Sequence, residues 1–276
     1  MNSAAAAGAP ALALEHITCT FAERADRSGR GRYTAVRDTS IAVEPGEFVS
    51  VVGPTGCGKS TLLNVAAGLL PPSAGRVDVF GARLSGVNRR AGYMFQADAL
   101  MPWRSALGNV TAGLEFRGMA RDAAVAKARD WLSRVGLAGF DERYPHQLSG
   151  GMRKRVALAQ MLILDPQILL MDEPFSALDV QTRQLMENEL LDLWSADRKS
   201  VLFITHDLEE AIALSDRVIV LSAGPATRPI GEFAIDLPRP RDVSEIRLTP
   251  RFVELHQAIW AAMKEEVLKG YAQSRR

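Results

Sequence analysis

Cysteine is scarce in this chain of 276 residues: there are two, Cys19 and Cys57, in unrelated contexts. They make no CxxC pair and no metal spacing, which excludes a disulfide framework and a zinc-finger design. A reducing, cytoplasmic compartment fits that usage. An excess of either charge is also missing, because 33 Lys and Arg stand against 32 Asp and Glu, a formal net charge of +1. No strongly basic face is advertised, so nucleic acid is not the expected partner. Long hydrophobic runs are absent too. None reaches the ~18 apolar residues of a membrane-spanning helix, and the longest candidate, Leu162 to Met171, is broken by Asp165 and Pro166. Service to a membrane would have to run through a partner. The N-terminus, Met-Asn-Ser followed by Ala, Gly and Pro through Pro10, lacks the basic segment of a secretory signal and reads as a disordered lead-in over 1–11.

What is present is a series of short apolar runs. Phe48–Val52, Ile168–Met171, Val201–Ile204 and Val218–Leu221 are near-continuous rather than alternating. Strands covered on both faces, as in a parallel sheet, have that pattern. Helical patterns lie between them. Ala124, Ala128, Trp131, Leu132 and Val135 fall on one face of a helix, and Gly136 sits where a terminating glycine belongs. Leu190, Leu191 and Trp194 form another stripe. Strands alternating with helices predict an α/β layered domain. From Ala97 to Val156 the strand signals vanish, which predicts a helical insertion. Residues 22–33, polar and glycine-bearing, predict a surface loop. Pro238-Arg239-Pro240-Arg241 predicts a linker, and the region near 250–269 an amphipathic C-terminal helix.

The run Gly53, Pro54, Thr55, Gly56, Cys57, Gly58, Lys59, Ser60, Thr61 fits the G-x-x-x-x-G-K-[ST] pattern, with an apolar strand before it and an apolar helix, Leu62–Leu70, after it. Glycines let backbone N–H groups turn inward around phosphate oxygens, and the helix N-terminus adds its positive dipole end. In such a loop the lysine, here Lys59, reaches the β- and γ-phosphates, and the hydroxyl of Ser60 ligates Mg²⁺. A second acidic motif follows: the strand Ile168–Met171 ends in Asp172 and Glu173. At the C-terminal edge of a parallel sheet these carboxylates emerge beside the phosphate loop. Asp172 is suited to hold Mg²⁺, and Glu173 to take a proton from an attacking water.

Leu148-Ser149-Gly150-Gly151-Met152-Arg-Lys-Arg resembles the signature motif of ABC ATPases, and it lies just before the second acidic motif, as in that family. The resemblance covers roughly residues 12–235 and carries six motifs in order. It implies a P-loop NTPase (RecA-like) core over 12–96 and 157–235, an antiparallel β subdomain, an inserted helical subdomain over 97–156, and a C-terminal linker and helix over 236–276. It implies that Ser149, Gly150 and Gly151 close over the γ-phosphate held by a second copy of the subunit, docked head-to-tail. Gln96, after Gly92-Tyr-Met-Phe, resembles the glutamine that senses Mg²⁺ and the attacking water while linking to a permease. Ser176-Ala-Leu-Asp179 resembles the loop that communicates across the dimer. His206 resembles the switch histidine on the γ-phosphate. An aromatic near the N-terminus stacks on adenine in the family; Phe21 aligns best, and Tyr33 is a rival beyond the loop. One departure is Met152, where the family more often has glutamine.

Gln96-Ala-Asp98-Ala-Leu-Met-Pro-Trp103-Arg104 resembles the corresponding segment of importers for nitrate, sulfonates and taurine, although Trp103 also reads as core of the helical insertion. That subgroup implies two transmembrane permease subunits, a periplasmic or extracellular substrate-binding protein, and a peripheral position on the cytoplasmic face of the inner membrane. Rival readings are a nucleic-acid or ribosome ATPase, a P-loop kinase, an exporter subunit and an importer of another solute. The first usually carries two modules, coiled coils or zinc cysteines, and the second has no use for Ser-Gly-Gly; the last two stay open.

Overall fold

In the computed structural model, which describes residues 8–22 and 31–273, the elements run β1 (Leu12–Ala22), β2 (Arg32–Val43), β3 (Phe48–Val52), α1 (Lys59–Ala66), β4 (Ala74–Val79), β5 (Ala82–Arg83), β6 (Ala91–Met94), α2 (Ala106–Phe116), α3 (Arg121–Arg134), α4 (Gly150–Leu162), β7 (Ile168–Asp172), α5 (Val180–Asp197), β8 (Ser200–Ile204), α6 (Leu208–Leu214), β9 (Arg217–Leu221), β10 (Pro229–Ala234), α7 (Val243–Ile246) and α8 (Pro250–Gln273). The apolar runs form the middle of a six-stranded sheet ordered β10-β9-β3-β8-β7-β6, parallel except for the antiparallel edge strand β10. Alternate side chains of each strand enter different cores. Phe48, Met171, Phe203 and Val218 pack with α5, α6 and α8. Val51, Leu170, Leu202 and Ile219 pack with α1 and with the inner face of a second sheet, β2-β1-β4-β5, which is antiparallel. Burial on both sides removes the polar face that would make a strand alternate.

The helical subdomain has its own core, built on Leu107, Val110, Leu132 and Val156. Helix α3 ends as its pattern predicts: Gly136 has φ +69, its N–H bonds the Ser133 carbonyl, and the Leu137 N–H reaches back to Leu132 at 2.7 Å. Helix α4 runs past the expected boundary at 156 to Leu162 and serves two cores. Val156 and Ala159 face the helical subdomain, whereas Leu158 and Met161 face the sheet.

Four expectations need correction. Ala11, placed in the lead-in, is fully buried and accepts a bond from the Phe80 N–H; residues 1–7 lie outside the described part. Ala22, Arg32 and Tyr33, read as loop, are strand residues pairing across the β1–β2 ladder, and residues 23–30 lie outside the described part. Trp103 is not core: it is 72% exposed, because it occupies the turn before α2 rather than a buried helical face. The Pro238–Arg241 stretch is a fastened strap rather than a free linker. Arg241 is buried and gives its guanidinium to the carbonyls of Ala213, Ser215 and Leu237 at 2.7–3.1 Å. Arg239 pairs with Asp216 and lies 4.2 Å over the Trp194 ring. The carbonyls ending α6 lack helical partners, and these arginines satisfy them.

Helices α5 and α6 each bury one acid, Glu187 and Glu210. Desolvation pushes the Glu210 carboxyl up to about 8, with a bond from Thr205 opposing and Glu187 adding. Desolvation likewise pushes Glu187 up to about 7, against the opposing charge of Arg247. Both folded values lie above the ordinary 4.5. The folded chain therefore holds protons that the unfolded chain has released, so these groups stabilise it at low pH and less as pH rises through 7 and 8. The Glu210→Gln variant should show a shallower fall of unfolding midpoint between about pH 4.5 and 8 than wild type. Parallel urea-denaturation profiles would contradict this origin of the slope.

Candidate active site

Strand β3 delivers the chain to the phosphate loop, and α1 begins directly after it at Lys59. The turn is possible because Gly58, with φ +105, takes a left-handed backbone that side chains rarely adopt; a Cβ there would also sit 3.0 Å from Val36. Cys57 is buried, and burial pushes its thiol up from the ordinary value, so it packs as a neutral side chain under the loop. Lys59 lies inside the loop, its ammonium 2.9 Å from the Gly53 carbonyl and 3.1 Å from that of Pro54.

Parallel pairing with β8 places the end of β7 beside this loop. The Ser60 hydroxyl donates to Asp172 Oδ1 at 3.0 Å. Burial pushes the Asp172 carboxyl up; the Ser60 bond and Lys59 oppose this, and Glu173 adds to it. Glu173 has φ +42, unusual for a non-glycine residue. That conformation is held by its N–H on the Ile204 carbonyl, 2.8 Å, and by the Ser176 hydroxyl on its own carbonyl, 3.0 Å. Its carboxylate thereby turns into the cleft. There Oε2 accepts from Gln96 Nε2 at 3.3 Å and meets His206 Nδ1 at 3.0 Å, while Oε1 stands 4.0 Å from the Lys59 ammonium. Gln96 follows β6 and His206 follows β8, so both arrive at the C-terminal edge of the sheet.

Lys59, Ser60, Gln96, Glu173 and His206 line a cleft of about 470 Å³ with Thr55, Gly56, Gly58 and Thr61, and Asp172 stands behind Ser60 outside that lining. The cleft does not include every expected residue. Ser149, Gly150 and Gly151 form the exposed or half-exposed start of α4, with Ser149 as its cap, and Asp179 caps α5 through the Thr182 N–H at 3.0 Å. None of the four lines the cleft. Phe21 and Tyr33 are outside it too. They face each other across the β1–β2 ladder, partly exposed, and the Tyr33 hydroxyl approaches Gly224, which abuts Cys57.

Residues 36–176 match the ABC transporter family. The chain belongs to that family. As an ABC ATPase it is an ATP-binding and ATP-hydrolysing subunit. It is 45% identical over 260 residues to an uncharacterized ABC transporter ATP-binding protein of Methanocaldococcus jannaschii, covering 94% of this chain and 93% of that one. It is 43% identical over 259 residues to a taurine import ATP-binding protein of Burkholderia pseudomallei, covering 92% and 97%. Among solved structures, it resembles an ATP-binding cassette in a dimeric post-hydrolysis state bound to ADP and Pi, with a TM-score of 0.72 and 31% identity over 82% of this chain and 100% of that one. Among the described residues, no helix of this ABC ATPase is long and apolar enough to cross a membrane.

Sequence reasoning passes over one element of the site region. Lys154, on α4, is 2% exposed and donates to the Gln96 carbonyl at 2.6 Å and to Asp98 at 3.2 Å. Arg153 donates to the other oxygen of Asp98 at 2.8 Å. Helix α4 is thereby tied to the segment after Gln96. A basic run at a helix start looks like a solvated face, and only the fold reveals its buried target. Asp98→Ala removes the carboxylate from a buried ammonium and should destabilise the protein by about 1–3 kcal/mol. An unfolding midpoint in urea unchanged from wild type would show the bridge to be idle.

Proposed function

We propose that this chain is the ATP-hydrolysing subunit of an importer for a small anion such as taurine, an aliphatic sulfonate or nitrate, and that it works as one of a head-to-tail pair. Two transmembrane permease subunits would receive its motion, with a substrate-binding protein delivering the anion to them at the other face. The convergence of Gln96, His206 and Lys59 on the single carboxylate of Glu173 carries the enzymatic part of this reading. The identity with a taurine import ATP-binding protein supports the subgroup. The pairing is supported by what the cleft leaves out. Ser149, Gly150, Gly151 and Asp179 are anion-binding or helix-capping groups turned elsewhere, and a second copy would bring them to the phosphate.

The donor set fits Mg²⁺. Ser60 and Asp172 offer hard oxygens 3.0 Å apart, and burial leaves Asp172 wanting a nearby cation. Among the described residues no cluster of three or more His, Cys, Asp or Glu side chains gathers to hold a metal. Mg²⁺ suits such a sparse site, since it takes one or two protein oxygens and fills its shell from nucleotide and water. Ser60 and Asp172 would hold it, with Gln96 at its edge, and it would neutralise charge on the β- and γ-phosphates. Lys59 and His206 would donate to the γ-phosphoryl oxygens, and Glu173 would orient water and accept its proton. Phe21, or Tyr33 opposite it on the ladder, would stack on the adenine.

Glu173→Gln retains the shape but not the basicity. Hydrolysis should fall about 10²–10⁴-fold while ATP still binds. Turnover equal to wild type would remove Glu173 from its role. For the transported class, cells lacking this subunit should fail to grow on taurine, an alkanesulfonate or nitrate, offered singly as sulfur or nitrogen source. Rescue by wild type but not by Glu173→Gln would tie uptake to hydrolysis. Normal growth on all three would overturn the anion reading and leave the ATPase standing.

A further inference from the structure

Between the loop that carries Asp179 and the loop that carries His206, one side chain touches both. Arg183 stands in the first turns of α5, its N–H on the Asp179 carbonyl at 2.9 Å. Its Nη2 donates to the carbonyl of Leu178, the residue before Asp179, at 3.2 Å. Its Nη1 donates to Asp207 Oδ2, the residue after His206, at 3.0 Å. Asp207 is itself committed. Its other oxygen caps α6 through the N–H groups of Glu209 and Glu210 at 2.9 and 3.2 Å, and its own N–H donates to the Thr205 hydroxyl at 3.0 Å. His206 is thus flanked by two residues whose side chains are hydrogen-bonded, and the pin on the C-terminal side runs to Arg183.

We propose that Arg183 is a positioning residue for hydrolysis: one guanidinium sets the His206 loop against the Asp179 loop, so that the two loops, one facing its own nucleotide and one the partner's, keep a fixed relation. This rests on the reading of His206 and Asp179 as site residues. A planar fork suits the task, because it bonds two acceptors at once in fixed geometry, whereas an ammonium is a point donor. Leu178 and Leu208, behind the two loops, share one apolar core, but Asp179 and His206 themselves are exposed, so their relation is left to polar contacts. The energetic worth of the bond to global stability is small, since both side chains are partly open to solvent. Its worth to the reaction is larger, because a shift of ~1 Å in a reacting group can lower a rate about a hundredfold.

The test measures ATP turnover per nucleotide-binding site and the affinity for a non-hydrolysable ATP analogue in the full-length chain. Arg183→Met should lower kcat by about 10–100-fold with analogue affinity within about twofold of wild type. Arg183→Lys keeps the charge but reaches one acceptor at a time, and should fall between. Because Arg183 and Asp207 act as one unit, Arg183→Met combined with Asp207→Asn should be no slower than the worse single variant. A purely structural role would instead lower the unfolding midpoint and leave kcat per folded site intact. Wild-type kcat in folded Arg183→Met, or losses that multiply in the double variant, would overturn the proposal. His206→Ala separates the layers. If it hydrolyses ATP normally, the reading of the site falls and this inference with it; if it is inactive while Arg183→Met is normal, this inference alone falls.

Discussion

The backbone of Glu173 sits in a left-handed conformation at the end of a buried parallel strand, and the rest of the site is arranged around the carboxylate that this conformation turns inward. A residue continuing β7 in extended geometry would send its side chain to one of the two cores, as its predecessors do. The left-handed step instead releases the chain from the sheet and aims the acid at Lys59, Gln96 and His206. Strain of this kind persists only where neighbours over-determine it. Here the constraint comes from the Ile204 carbonyl, the Ser176 hydroxyl and the burial of Phe175 and Pro174 on the following turn. Asp172, one residue earlier, keeps its strand geometry and turns to Ser60. Two adjacent carboxylates thus serve different partners because the backbone changes hand between them.

The sheet makes this possible by being covered on both faces. Each central strand divides its side chains between a core under α5, α6 and α8 and a core shared with α1 and the antiparallel sheet. With no solvent-facing side, the strands cannot slip by one residue without exchanging two different sets of neighbours. The C-terminal edge, where β3, β6, β7 and β8 release Lys59, Gln96, Glu173 and His206, is therefore held in a fixed plane. The C-terminal strap and α8 add to that rigidity. Arg241 closes the carbonyl end of α6, Glu266 accepts the Ala223 N–H at 2.7 Å, and a Cβ on Gly270 would lie only 3.2 Å from Pro54 of the phosphate loop. What reads in one dimension as a tail is in space a backing for the nucleotide loop.

Legibility varied with the range of the interactions. Phe48–Val52 was readable to the residue, because a buried strand is a local apolar run; Ile168, Val201 and Val218 were readable to within one residue for the same reason. The termination of α3 at Gly136 was readable from helical spacing and one glycine. By contrast, β1 and β2 left little trace in the pattern, since Phe21 and Tyr33 flank a polar stretch that hides the ladder between them. Trp103 looked like core because large aromatics usually are, but a turn before α2 places it in solvent. Arg241 looked like part of a linker because prolines surround it, yet its partners are carbonyls more than twenty residues earlier at the end of α6.

The sequence by itself determined the chemistry on offer: a glycine loop ending in Lys59 and Ser60, an acid pair after an apolar strand, a Ser-Gly-Gly helix start, and a histidine after another strand, each defined by neighbours within a few residues. Tertiary structure alone decided which of these meet. It gathered Lys59, Gln96, Glu173 and His206 into one cleft and left Ser149 and Asp179 outside it. It also buried Lys154 on the Gln96 carbonyl and set Arg183 between two loops. The physical reason is that strand pairing and helix packing bring together residues far apart in the chain, and the direction of a side chain at a strand end depends on backbone angles that its own residue type does not specify.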